Sequence, residues 1–182
     1  MEMVIPASLV LCARVFGALL FGAAAWSKAR HLAEFEGVFE NYRLTPSFAS
    51  PVLARLLVTA EALVALSLAT GLGLQFGAAG AAALMLLFAT AIGVNLARGR
   101  DYIDCGCFQS THRQQLSGWL VGRNLAAAIL LACPLLPSAQ VVGGLEWLDG
   151  AGAGVALFVL VRTFEQVLSL RAGARQLHKR FG

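Results

Sequence analysis

Stretches of about twenty mainly apolar residues recur along the chain, at about 8–26, 52–70, 76–97 and 118–136, with a weaker one at about 151–170. That length is what a helix needs to cross the hydrocarbon core of a bilayer. In lipid, every backbone N–H and C=O of a helix is satisfied within its own segment. The expected fold is therefore all-α: a polytopic membrane helical bundle with a four-helix core and a fifth span, in one domain over residues 1–182. Composition agrees, with 58% hydrophobic and 13% charged residues and a mean hydropathy of +0.73. A soluble domain averages about 25% charged residues. The net charge of +4 gives no reason to invoke nucleic acid. No internal repeat and no pair of broken helices points to a transporter.

Glu2 and no Lys or Arg precede the first span, so residues 1–26 read as an uncleaved span rather than a secretory signal. Trp26 and Lys28 mark its far interface. In the first loop, Leu32, Phe35, Val38, Phe39 and Tyr42 share one helical face, while Arg30, Glu34, Glu36, Glu40 and Arg43 occupy the others. This predicts a short interfacial amphipathic helix. Gly71 and Gly73 make a tight turn, and Gly77 and Ala81 are spaced for close packing between helices.

Basic residues fall in the first loop (Lys28, Arg30, Arg43), the third loop (Arg98, Arg100, Arg113) and the tail (Arg171, Arg175, Lys179, Arg180). The N-terminus and the second and fourth loops have none. By the positive-inside rule the first and third loops and the tail face the cytoplasm. Arg14, Glu61, Arg123 and Arg162 lie inside spans. A charge at the bilayer centre costs about 2.5–3.5 kcal/mol, so such groups pair, snorkel or line a site. Glu61 is nearest the midplane, and its expected partner is Arg14 or Arg123. Arg162 and Glu165 are spaced to pair at i, i+3. One reading is a structural ion pair; the other is a polar pocket that holds a quinone head group or relays a proton.

The third loop carries Asp101-Tyr102-Ile103-Asp104-Cys105-Gly106-Cys107-Phe108-Gln109-Ser110, the most polar island in the second half of the chain. A disulfide between Cys105 and Cys107 closes a very small ring, eased by Gly106, and strained or exposed disulfides are the labile, catalytic ones. Arg98, Arg100, Arg113 and His112 favour a thiolate there, while Asp101 and Asp104 oppose it. Cys105 and Cys107 are thus the candidate catalytic pair of a thiol–disulfide exchange. Two other readings stay open. One is a metal site of Cys105, Cys107 and His112, which lacks an obvious fourth ligand; the other is a merely structural pair. Cys12 and Cys133 lie in apolar runs and read as small packing residues.

Four pieces of the sequence also resemble a known family. They are Trp26-Ser27-Lys28 with Arg30-His31 and Asn41-Tyr42-Arg43-Leu44-Thr45-Pro46; Ala60-Glu61-Ala62-Leu63; Asn95-Leu96-Ala97-Arg98-Gly99-Arg100 with Asp104-Cys105-Gly106-Cys107-Phe108; and Trp119-Leu120-Val121-Gly122-Arg123-Asn124-Leu125. Together they resemble the methylamine utilisation protein MauE family, related to DoxX-like and vitamin K epoxide reductase-like membrane bundles. Gln109 stands where Gly commonly follows the Cys-Gly-Cys-Phe unit in that family. The resemblance implies a multi-pass bacterial inner-membrane protein needed for maturation of the small (β) subunit of methylamine dehydrogenase, an exported and disulfide-dense chain. It implies a thioredoxin-like periplasmic partner, with Cys105 and Cys107 as the redox pair. Glu61, Arg123 and Asn124 match family positions as supporting polar residues without assigned roles. The sequence determines no cofactor; a quinone is one candidate. Two alternatives are a general quinone-linked membrane thiol oxidoreductase and a non-catalytic docking subunit. The resemblance implies a periplasmic Cys-Gly-Cys loop, against the cytoplasmic placement from charge. The periplasmic orientation is the expectation carried forward.

Overall fold

Among the described residues of the computed structural model, five helices are long and apolar enough to cross a membrane. The structure describes residues 5–100, 103, 116–137 and 144–181, with the backbone alone for Ser169 and residues 171–181. The elements are α1 (Ala7–Arg30), α2 (Leu32–Asn41), α3 (Ser50–Thr70), α4 (Leu74–Ala97), α5 (Gly118–Ala132, continued by the 3-10 turn Cys133–Leu135) and α6 (Gly144–Phe181). The all-α membrane bundle and the amphipathic helix are as expected, α2 turning Phe35 into the protein.

Helix ends follow local chemistry. Pro51 sits in the first turn of α3, where its missing N–H is no loss. Gly71 (φ 78°) and Gly73 (φ 60°) adopt the left-handed conformation that the tight α3–α4 turn requires. Gly99 (φ 69°) ends α4. There the Gly99 N–H donates to the Leu96 carbonyl at 2.9 Å and the Arg100 N–H to the Asn95 carbonyl at 2.9 Å, a Schellman motif.

In space the long helices run α6–α1–α3–α4–α5, each packed on the next. The 3-10 turn touches both α1 and α4, which closes the four-helix core at that end. Phe16, Leu20, Phe21, Leu68, Met85 and Leu131 form the centre of the core. Small residues set the close approaches. A Cβ on Gly77 would lie 2.8 Å from the Ser67 Cβ, and Ala81 is fully buried on the same face. The expected small-residue stripe thus packs α4 on α3. A second stripe is not apparent from hydropathy. A Cβ on Gly150 would lie 2.7 Å from the Ser8 carbonyl oxygen, and one on Gly154 2.8 Å from that of Cys12. These glycines fasten α6 to α1.

α6 differs from the expected fifth span. It starts at Gly144 rather than near 151, so Glu146 and Asp149 lie on a helix and not in a loop. Its 38 residues make a rod of about 57 Å at about 1.5 Å per residue, well beyond the roughly 30 Å hydrocarbon core. α1 likewise runs to Arg30, placing Lys28 within the helix. Cys12 and Cys133 are free and half-buried within the bundle.

The connectivity puts the first loop, the ends of α4 and α5 that flank the third loop, and the end of α6 at one end of the bundle, here the loop end. The opposite end holds the Gly71–Gly73 turn and the 3-10 turn, with the Ile5 N–H donating to the Pro137 carbonyl at 3.0 Å.

Candidate functional site

Glu61, near the middle of α3, is fully buried. Its ion-pair partner is Lys28 of α1, itself only 2% exposed. The Lys28 ammonium lies 4.9 Å from the Phe35 ring centroid and 5.1 Å from that of Phe88, close enough for both ring faces to stabilise the cation. α2 therefore covers the pair, and Phe35 is the lid residue. Arg14, one of the two expected partners of Glu61, is engaged elsewhere. The Arg14 Nε donates to the Leu68 carbonyl at 3.3 Å, and its guanidinium lies against Gly71. Leu68 is in the last turn of α3, where carbonyls lack helical donors and a cation is favoured by the helix dipole. Arg14 is held about 10 Å along the α3 axis from Glu61, at about 1.5 Å per residue.

A second charge group ties α5 to α6. Arg123 of α5 pairs with the buried Glu165 of α6, and Arg162 reaches the same carboxylate at 3.3 Å. The expected i, i+3 pair is present, joined by a partner from another helix. Arg123 Nη2 also donates to the Asn124 Oδ1 at 3.1 Å. One turn earlier on α5, Trp119 packs on Phe164 with ring centroids 5.3 Å apart.

These two groups border a cavity of about 230 Å³. Phe16, Leu20, Phe21, Met85, Leu130 and Leu157 supply apolar wall, and Lys28, Glu61, Arg123 and Asn124 supply the polar lining. A smaller cavity of about 170 Å³ lies beneath α2 and shares Lys28 and Phe88 with the first. The structure thus brings Glu61, Arg123 and Asn124 together around one space, and adds Lys28, which the sequence reading placed at the interface. The signal was available in the helical period: Gly17, Phe21, Ala24 and Lys28 follow one another at intervals of four and three, and all are buried.

Cys105, Cys107, Gln109, His112 and Arg113 lie outside the described residues. The base of their loop is described. Ile103 and Leu116 are buried against Ile92 and Leu120, and the Leu116 N–H donates to the Ile103 carbonyl at 3.2 Å. The chain therefore leaves and re-enters the bundle through a pinned neck. Arg100 reinforces it, donating to the Asn41 carbonyl at 2.8 Å, the Tyr42 carbonyl at 3.4 Å and the buried Asn95 Oδ1 at 3.2 Å. Arg98 donates to the Arg43 carbonyl at 3.4 Å. Both arginines, expected as thiolate-stabilising charges, bind the end of α2 to the end of α4.

Residues 6–137 match the family described as methylamine utilisation protein MauE. The chain belongs to the MauE family. It is 45% identical over 146 residues to the methylamine utilization protein MauE of Paracoccus denitrificans, covering 77% of this chain and 78% of the relative. It is 39% identical over 164 residues to that of Methylorubrum extorquens, covering 89% and 88%, and 42% identical over 149 residues to that of Paracoccus versutus, covering 81% and 80%. No solved structure matches the chain. Described residues from all four sequence pieces that resemble the MauE family fall at the cavity or at the loop neck. Lys28, Glu61, Arg123 and Asn124 border the cavity, while Asn41, Tyr42, Asn95 and Arg100 hold the loop neck.

Proposed function

We propose that this MauE-family protein supports maturation of the small (β) subunit of methylamine dehydrogenase by thiol–disulfide exchange at Cys105 and Cys107. The carrying observation is the pinned neck. Ile103 and Leu116 are buried and hydrogen-bonded to each other, so the chain on either side of the Cys-Gly-Cys segment is anchored to the bundle. A redox loop needs such a base, because exchange proceeds by in-line attack of a thiolate on a disulfide sulfur.

In the proposed cycle a dithiol of the exported subunit attacks the Cys105–Cys107 disulfide. A mixed disulfide forms and the second substrate thiolate resolves it. The substrate gains a disulfide and the pair becomes a dithiol. A thioredoxin-like periplasmic partner then restores the pair by the same exchange in reverse, taking the two reducing equivalents. This requires the loop end to face the periplasm of a bacterial inner membrane, where disulfides persist. Burial of Lys28 against Glu61 supports that orientation by removing one cation from the loop charge.

The test is a Cys105→Ser, Cys107→Ser double variant in cells that depend on the protein for methylamine dehydrogenase. Loss of active dehydrogenase at normal membrane levels of the variant is expected. Full dehydrogenase activity would contradict the mechanism and leave a docking role.

A further inference from the structure

The proposed thiol exchange makes no use of the cavity between the helices. At about 230 Å³ it exceeds the roughly 150 Å³ that holds a benzene molecule, so it suits a single substituted ring. Most of its wall is apolar, contributed by α1, α4, α5 and α6, and its polar groups are Lys28, Glu61, Arg123 and Asn124. The decisive group is Asn124. It is 1% exposed, and its Oδ1 accepts from Arg123, which fixes the orientation of the amide. The Nδ2 is buried and has no hydrogen-bond partner. Buried polar atoms in folded proteins are nearly always paired, so this donor calls for an acceptor supplied from outside the chain.

The lining restricts that acceptor. Three of the four polar groups are donors, so the complementary atom is an acceptor oxygen without a proton of its own. The apolar wall requires the rest of the ligand to be hydrocarbon-like. A route exists along the α5–α6 seam, where Ala126 is exposed and also lines the cavity. α6 packs on α1 rather than on α5, and this seam is bridged by Arg123–Glu165 and Trp119–Phe164.

We propose that this cavity binds the ring of a quinone-class lipid, with a ring carbonyl accepting a hydrogen bond from the Asn124 Nδ2 and the apolar tail leaving between α5 and α6. An acyl chain would fill the volume but leave the amide without an acceptor, and water would serve the amide but not the apolar wall. The proposal concerns binding alone and stands apart from the thiol reading.

The full-length protein in phosphatidylcholine nanodiscs is titrated with a radiolabelled decyl-substituted dimethoxybenzoquinone. Saturable binding at one site per chain is expected. Ala127→Leu, which projects into the cavity, should abolish it. Asn124→Leu should weaken it about tenfold, the value of one hydrogen bond, in a variant whose cooperative thermal unfolding shows that it is folded. Decylbenzene, which lacks the carbonyls, should compete poorly. The Cys105→Ser, Cys107→Ser variant should bind normally, so failure of the thiol reading leaves this result intact. Partition without saturation, binding that survives Ala127→Leu, an unchanged affinity in Asn124→Leu, or equal competition by decylbenzene would each overturn the proposal.

Discussion

Lys28 lies in the last turn of α1 and turns its side chain inward to Glu61, under the rings of Phe35 and Phe88. Removing one member of a buried pair leaves the other charge uncompensated, at a cost of about 3–5 kcal/mol. Lys28→Ala is therefore expected to lower the thermal stability of the purified protein by that amount. The Lys28→Met, Glu61→Leu double variant should recover most of it, because apolar residues of similar volume replace buried pairs at little cost. Equal losses in the single and double variants, read by thermal unfolding in detergent, would contradict the pairing. Sequence showed that Glu61 needs a cation but not which one. Arg14 lies within the apolar run and looks available, yet the C-terminal carbonyls of α3 hold it. Lys28 looks interfacial because hydropathy falls around it, although its place in the buried helical stripe continues that of Phe21 and Ala24.

α6 depends on two glycines for its attachment, and that makes a matched test within one helix. Gly154 approaches the α1 backbone, whereas a Cβ on Gly152 would meet nothing within 4 Å. Gly154→Leu is expected to destabilise by about 1–3 kcal/mol through overpacking, and Gly152→Leu to be neutral or stabilising by up to about 1 kcal/mol through helix propensity. Similar thermal midpoints for the two variants would remove the glycines as the fastening of α6. The arginines at the loop end differ in the same way. Arg100 makes three hydrogen bonds that join α2 to α4, so Arg100→Ala should cost about 1.5–3 kcal/mol. Arg55 is 65% exposed in its pair with Glu36, and Arg55→Ala should cost less than about 1 kcal/mol. Denaturant midpoints in mild detergent compare them, and equal effects would contradict the bracing role of Arg100. Span positions were legible because apolar length is what lipid selects. The true start of α6 was not, since Glu146 and Asp149 interrupt the apolar run while leaving the helix intact. The Gly150–Gly154 stripe carries no hydropathy signal, so only the packing revealed it.

Across the whole molecule, the cavity groups lie among the helices and the pinned neck of the loop lies at one end of the bundle. The all-α class, the five spans and the family were readable from sequence because each depends on long stretches or on several separated motifs. The partners of the buried charges were not, because they depend on which helices are neighbours, and the chain order does not state that α6 packs along α1 while its Glu165 still reaches Arg123 of α5. Orientation depends on two opposing indications: the basic residues assign the loop end to the cytoplasm, and the proposed maturation role requires it in the periplasm. Thiol labelling at Cys105 and Cys107 decides between them. A membrane-impermeant maleimide is applied to intact spheroplasts, with and without reductant, in a Cys12→Ala, Cys133→Ala background. Labelling from outside that appears only after reduction is the expected result, and means an outward-facing disulfide. Protection until the membrane is permeabilised would place the pair in the cytoplasm and contradict direct action on an exported subunit.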